Sequence, residues 1–283
     1  MRYLTLAERD DLQDWMEARP AQCAFCLGWL DRFGMSGTKA NRFFDFVVAG
    51  SKGEWTLVAL AVHGALLCVM EADEPSTRRL GVFFNRRRET FQTLVGPDRP
   101  IEILTETFHN SVIPPRVVQP QVLMARHRSD DYAHPATLEP SFRRAAMSDL
   151  AIVVDATLAM HAEEIGVPNT DQDIEALIRS TYQKLQEDRV WLCESAIAGK
   201  IDFKASIALP TASVSQIEGV WTEPSQRGRG VARRCLRLMC EELHETVPML
   251  ALTVGAENHA ALRVYAGLGF ETVCAWRTVY LDD

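Results

Sequence analysis

The 283-residue sequence has little that would send it to a membrane, a metal ion or a nucleic acid. No apolar run reaches the roughly eighteen residues of a spanning helix; the longest, Trp55 to Met70, is interrupted by His63 and Gly64. Met1 to Pro20 carries Glu8, Asp10, Asp11, Asp14 and Glu17 where a secretory leader needs an apolar core, so a soluble, cytoplasmic chain is expected. Basic residues are short in supply. A formal net charge of −8 argues against general nucleic-acid binding, which depends on neutralising phosphates. Disulfide architecture is disfavoured by an odd count of 7 cysteines in mostly apolar surroundings. Cys23-x-x-Cys26 has no second pair at metal-binding spacing, so no metal site is expected. Arg86-Arg87-Arg88, close to Arg78-Arg79, reads as a solvated face.

What is present is a globular composition, 47% hydrophobic and 24% charged, at a length that favours two domains. Leu6 to Arg19 reads as a helix ended by Pro20, and Cys23 to Phe33 as another. Trp55 to Val62 and Ala65 to Glu71 read as a hairpin turning at His63-Gly64, followed by a helix at Ile101 to His109 and a strand at Gln121 to Ala125. The polar stretch Arg126 to Pro140 predicts a linker, with domains at 1–130 and 141–283 and the linker proper at 131–140. Beyond it come helices at Met147 to Glu164 and Asp171 to Gln186. A hairpin comes next, formed by Val190 to Glu194 and Ile201 to Leu209, and then a strand at Ser213 to Thr222. The Trp55–Glu71 and Val190–Leu209 hairpins share a single-glycine turn, a weak hint of a repeat.

The most informative segment is Gln226-Arg227-Gly228-Arg229-Gly230-Val231-Ala232, placed between the apolar run Ile217 to Thr222 and a helical run from Val231 to Leu243. Glycines here let successive backbone N–H groups converge on one anion at the positive end of the helix. Arg227, Arg229, Arg233, Arg234 and Arg237 crowd that same end, where cations are disfavoured, while Glu241, Glu242 and Glu245 crowd the other. A bound polyanion reverses the sign of that arrangement. The string G-x-x-x-x-G-K-[ST] is absent, and a dinucleotide fingerprint fails because Arg233 stands at its third glycine and only about fifty residues remain beyond it.

Arg227-Gly228-Arg229-Gly230-Val231-Ala232 resembles the [R/Q]-x-x-G-x-[G/A] pyrophosphate loop of the GNAT superfamily of acyl-CoA-dependent acyltransferases. Val220-Trp221-Thr222-Glu223-Pro224 is similar to the end of that family's fourth strand. Asn258, Ala261, Tyr265 and Gly269-Phe270 are similar to its N-x-x-A-x-x-x-Y-x-x-x-G-F. The resemblance covers Phe142 to Leu281. It implies an α/β (α+β) fold with a mixed, mostly antiparallel sheet flanked by helices, in a tandem arrangement whose first half is a degenerate copy without the loop. It also implies transfer of an acetyl group from acetyl-CoA to the primary amine of a small-molecule or peptide acceptor.

The resemblance assigns CoA phosphates to the amides from Gly228 to Ala232 with nearby arginines, and pantetheine to the main chain of Val220 to Thr222, near Asn258. Tyr265 then stands where the family's phenol often serves as general acid, the alternative being a packed ring. Glu218 lies two residues from Val220 and so on the same strand face, a candidate general base or an exposed carboxylate. Glu163 and Glu164 are weaker candidates, and His161, His244 and His259 read as surface or helix-face residues. A non-catalytic acyl-CoA sensor built on the same loop is the other reading.

Overall fold

A computed structural model describes residues 1–35, 43–108, 115–128, 141–165 and 171–281. The expected linker at 131–140 lies outside the described residues. The described elements run twice through one order. The first pass is β1 (Arg2–Tyr3), α1 (Arg9–Glu17), α2 (Pro20–Phe33), β2 (Phe44–Ser51), β3 (Glu54–Val62), β4 (Leu66–Ala72), α3 (Glu74–Asn85), β5 (Thr93–Pro97), α4 (Asp98–Phe108) and β6 (Val117–His127). The second is β7 (Phe142–Arg144), α5 (Leu150–Ile165), α6 (Asp171–Gln186), β8 (Val190–Glu194), β9 (Ile201–Ile207), β10 (Val214–Thr222), α7 (Val231–His244), β11 (Met249–Gly255), α8 (His259–Ala266) and β12 (Glu271–Tyr280).

The repeat is therefore real, but its register differs from the hairpin comparison. The Gly199 turn joins β8 to β9 and corresponds to the β2–β3 turn at Gly53; the Gly64 turn joins β3 to β4, one strand later. Two apolar hairpins in succession share β3, and the local sequence pattern picks out only the second. Pro20 does not end a helix either. It opens α2 from the first helical position, where its missing N–H costs nothing.

The chain divides into two compact units that do not follow the sequence-based boundary: Met1–Ala125 with Ala251–Ala261 and Glu271–Asp283, and Arg126–Leu250 with Leu262–Phe270. The physical reason is strand pairing. Within the first unit β12 pairs antiparallel with both β5, from Trp276↔Pro97 to Tyr280↔Thr93, and β6, from Glu271↔Ala125 to Tyr280↔Val117. Its strand order is β1-β2-β3-β4-β5-β12-β6-β11, with β4 and β5 parallel. Val279 of β12 joins a core of Val47, Leu57, Leu67, Leu80, Phe84, Leu94, Ile101 and Leu104. Each such side chain contributes about 1.5–3 kcal/mol on burial.

The second unit has the antiparallel order β10-β9-β8-β7. Val153, Ala156 and Met160 of α5 and Leu185 of α6 pack on one face of it, against Val190, Leu192, Ile201 and Trp221. Trp191 is fully buried, and its indole N–H donates to Glu242 of α7 at 2.8 Å.

Since β12 supplies hydrogen bonds to two neighbours, a fragment of residues 1–130 leaves β5 and β6 with open edges. We expect it to lack a cooperative urea transition by far-UV circular dichroism, whereas the intact chain has one. A fragment that unfolds cooperatively, with a slope appropriate to its size, would show that the first half is self-sufficient.

Candidate active site in the second unit

Strand β10 is irregular where the resemblance places the acyl group. Glu218 faces Ser206 and Trp221 faces Lys204, so three steps along β10 span two steps along β9. That extra residue makes a bulge at Gly219-Val220. Gly219 has φ +60°, and a Cβ added there would lie 3.3 Å from both Lys204 Nζ and Ser206 Oγ. Only glycine meets both demands without strain. The bulge is held from β9: Lys204 Nζ donates to the Gly219 carbonyl at 3.0 Å, and Ser206 Oγ to the Glu218 carbonyl at 3.3 Å.

The loop after β10 turns through left-handed Gly228 (φ +75°) and Gly230 (φ +77°), and Gly230 is the N-cap of α7. No side chain caps this helix, and no acid occupies its first turn. Its first-turn amides have no carbonyl one turn back, as at any helix start, so they face out as donors beside a positive dipole end. Arg227 is committed differently from the expected phosphate contact. Its Nε donates to the Thr222 carbonyl at 3.0 Å and its Nη2 pairs with Glu163 at 2.6 Å, stapling the loop to the strand end and to α5. Arg234 donates to the Arg229 carbonyl at 3.1 Å. Arg229, Arg233 and Arg234 are exposed at the loop mouth, and Val231 and Ala232 open the helix with Val231 buried beneath it.

The first repeat offers a contrast at the equivalent place. Helix α3 follows β4 as α7 follows β10, yet its N-cap Asp73 accepts from the Ser76 N–H at 2.7 Å and Glu74 occupies the first turn. A carboxylate already fills the anion position there.

Four ionisable side chains surround the bulge. Glu218 Oε1 is paired with Lys184 Nζ of α6 at 2.6 Å. Lys204, only 4% exposed, is pushed down to about 7, mainly by burial and next by Lys184, while Glu218 and Glu164 work in the opposite direction. Burial also raises the Glu164 carboxyl, with Lys204 opposing and Glu163 adding to the rise. Tyr265 is buried, its ring edge-on to Phe270 at 5.9 Å, and burial followed by the charge of Glu164 raises its phenol well above the ordinary range. Glu164 thus acts on both Tyr265 and Lys204. Trp221 keeps its indole N–H without a protein partner.

Asn258 belongs to the other unit, where its Oδ1 accepts from the Ala261 N–H at 3.1 Å and caps the start of α8. His244 is buried, its Nδ1 donating to the Val247 carbonyl at 3.2 Å; His259 is exposed. Cys23 and Cys26 are buried in α2, with Cys26 Sγ 3.7 Å from Cys68 Sγ. Arg78, Arg79, Arg86, Arg87 and Arg88 are exposed. Among the described residues there is no cluster of three or more His, Cys, Asp or Glu able to hold a metal, and no helix long and apolar enough to cross a membrane.

Lys204 does not stand out as a site residue in the sequence. In Ile201-Asp202-Phe203-Lys204-Ala205-Ser206-Ile207 the polar residues alternate onto one face, the ordinary mark of a solvated face, but here α5 and α6 cover it. The available signal is a lysine directly upstream of a glycine-containing strand.

The bulged strand, glycine turn and uncapped helix start fall within the stretch that known proteins match. Residues 160–270 match the model of the Acetyltransferase (GNAT) family. No curated protein matches the chain. Among solved structures it resembles a GCN5-related N-acetyltransferase from Sphaerobacter thermophilus, at 18% identity over 98% of this chain and 93% of the other, with a TM-score of 0.59. It also resembles an acetyltransferase from the GNAT family from Colwellia psychrerythraea, at 13% identity over 99% of both chains, TM-score 0.54. A tandem GNAT protein from the clavulanic acid biosynthesis pathway matches at 14% identity over 98% of this chain and 96% of the other, TM-score 0.53. At these identities the likeness is one of fold, and it extends to the N-terminal GNAT-like region.

The lowered Lys204 carries a stability signature. Between about 7 and the ordinary lysine value of about 10.5 the unfolded chain binds the proton that the folded chain has lost, so native stability rises with pH across that window. The destabilisation is fully present below the folded value. Lys204→Met should therefore gain most, relative to the parent, near pH 6, with the advantage shrinking by several kcal/mol towards pH 10, at about 1.4 kcal/mol per pKa unit. Urea midpoints at five pH values measure this; a difference independent of pH would mean that the lysine titrates normally.

Proposed function

We propose that the second unit transfers an acetyl group from acetyl-CoA to a primary amine. The observation that carries this reading is the helix start at Gly230: left-handed glycines, no side-chain cap, no first-turn acid and exposed arginines, directly after a bulged strand. Those features fit a pyrophosphate, since a polyanion supplies the acceptors and the charge that the bare amides and arginines lack. Under this reading the amides from Gly228 to Ala232, with Arg229 and Arg233, hold the CoA phosphates. Arg227 serves by fixing the loop. Val220, Trp221 and Thr222 present the strand edge along which the peptide-like pantetheine adds, in the manner of an extra strand.

The chemistry asks for a neutral amine and a proton for the departing thiolate. Tyr265 provides the second. Its raised phenol stays protonated throughout the working range, so the proton is in place when the sulfur leaves. Glu218, held by Lys184, receives the amine's proton directly or through water, and exchange within the Lys184–Glu218–Lys204–Glu164 cluster returns it to solvent. The Asp73-capped α3 supports one CoA per chain.

Acetyl-CoA should raise the melting temperature of the protein by mass action, and Gly230→Val should abolish that shift, because a β-branched residue is strained at φ +77° and its side chain crowds the anion position. The readout is the ligand-induced shift, which is independent of the variant's own lower melting point. An undiminished shift would contradict the loop assignment.

Thiol release from acetyl-CoA in the presence of an amine library tests turnover. Tyr265→Phe should keep CoA affinity and lose about 100-fold in rate, the scale of general acid catalysis. Equal rates would leave Tyr265 as a packing residue, and saturable binding without thiol release from any amine would make the chain an acyl-CoA sensor.

A further inference from the structure

A bulge frees a peptide group from its strand ladder. At Gly219-Val220 the freed carbonyl is half-buried and takes a donor in place of the one the ladder would supply. That donor is Lys204 Nζ at 3.0 Å, reaching from the residue opposite Trp221. A buried ammonium is a costly way to satisfy one carbonyl, and a shorter neutral side chain would not span the gap that the bulge opens. The geometry has a consequence on the far side of the strand. In a planar trans peptide the carbonyl and the following N–H point in opposite directions. The bond from Lys204 therefore fixes the Val220 N–H pointing away from Lys204 Nζ. It also polarises that N–H, since hydrogen bonds in series through one peptide strengthen one another.

We propose that Lys204 is a positioning residue for the acyl group: by holding the Gly219 carbonyl it aims and strengthens the Val220 N–H as the donor to the thioester oxygen. This rests on the acetyltransferase assignment of the second unit. As the acceptor nitrogen forms its bond to the carbonyl carbon, the C–O π pair moves onto oxygen, where the Val220 N–H receives it. Collapse breaks the C–S bond; sulfur takes up one proton and nitrogen releases one. Gly219 is part of the same device, because its φ of +60° sets the peptide plane and a Cβ there would come to 3.3 Å from Lys204 Nζ. The groups that act on Lys204 are Lys184 from α6, Glu218 from β10 and Glu164 from α5.

The test needs no acceptor. With [1-13C]acetyl-CoA bound to the full chain, the carbonyl stretch is read by isotope-edited infrared spectroscopy and affinity by calorimetry. The parent protein should bind the thioester and move the stretch below that of free acetyl-CoA. Lys204→Met should bind within about threefold of the parent, under 1 kcal/mol, yet return the stretch most of the way to its free position. Lys204→Arg, which keeps a donor, should retain the shift. In the parent the band should move further down as pH falls through about 7, where Lys204 gains its charge, and this step should be absent in Lys204→Met.

An unchanged stretch in Lys204→Met with binding intact overturns this inference and leaves the acetyltransferase reading standing. If Lys204→Met fails to fold, the parent's pH step decides: a band that does not move between pH 6 and pH 8.5 overturns the inference. Failure of the parent to bind acetyl-CoA at all brings down both.

Discussion

The architecture depends on one backbone constraint: buried strand edges must find hydrogen-bond partners. Within the first unit β5 and β6 flank a strand that arrives from the far end of the chain, and β12 pairs with both, its ladder to β6 shifting register between Thr272 and Cys274. Leu66 to Cys68 of β4 complete β5 on its other side. Because Val279 also fills the core between Leu80, Phe84 and Leu104, the same strand that closes the hydrogen bonding closes the packing. The N-terminal half therefore cannot be treated as an appendage joined by a linker. Its core includes residues encoded after everything else.

The repeated element order shows how two copies of one plan diverge through a few side chains. After β10 the helix start is bare, with Gly230 as its cap; after β4 the helix start is filled by Asp73, with Glu74 behind it. The backbone plan is shared, and the electrostatics are opposite in sign. One site is open to a polyanion, while a carboxylate already occupies the other. The difference between the repeats here lies in what stands at two helix N-termini, where dipole and unsatisfied amides act over only a single turn.

Around the bulge, charge is arranged by burial more than by exposed pairing. The Arg227–Glu163 pair is half-exposed and contributes about 0–1 kcal/mol to stability, so its value is in fixing the loop. Lys204 is different. Burial brings its amine down to about 7 while Glu164 and the phenol of Tyr265 are driven up, and Glu164 acts on both of the others. Lys204 and Glu164 act on each other, so protonation at one alters the other.

By itself the sequence determined the features that neighbouring residues encode. The α6 and β8 limits coincide with the hydrophobic periodicity, and β10 and α7 lie within a residue of expectation. The glycine turn that opens α7 is legible because glycine spacing and helix polarity are properties of residues adjacent in the chain. Strands β2, β5 and β12, and helix α3, carry weaker local signals and do not emerge from pattern alone. Tertiary structure decided the rest. The partnership of β12 with β5 spans most of the chain, and no local pattern encodes a pairing of that range. The burial of Lys204, the commitment of Glu218 to Lys184 and the tying of Arg227 to Glu163 depend on helices α5 and α6 covering a strand face that reads as solvated. Alternation tells which residues share a face; only packing tells whether that face meets water.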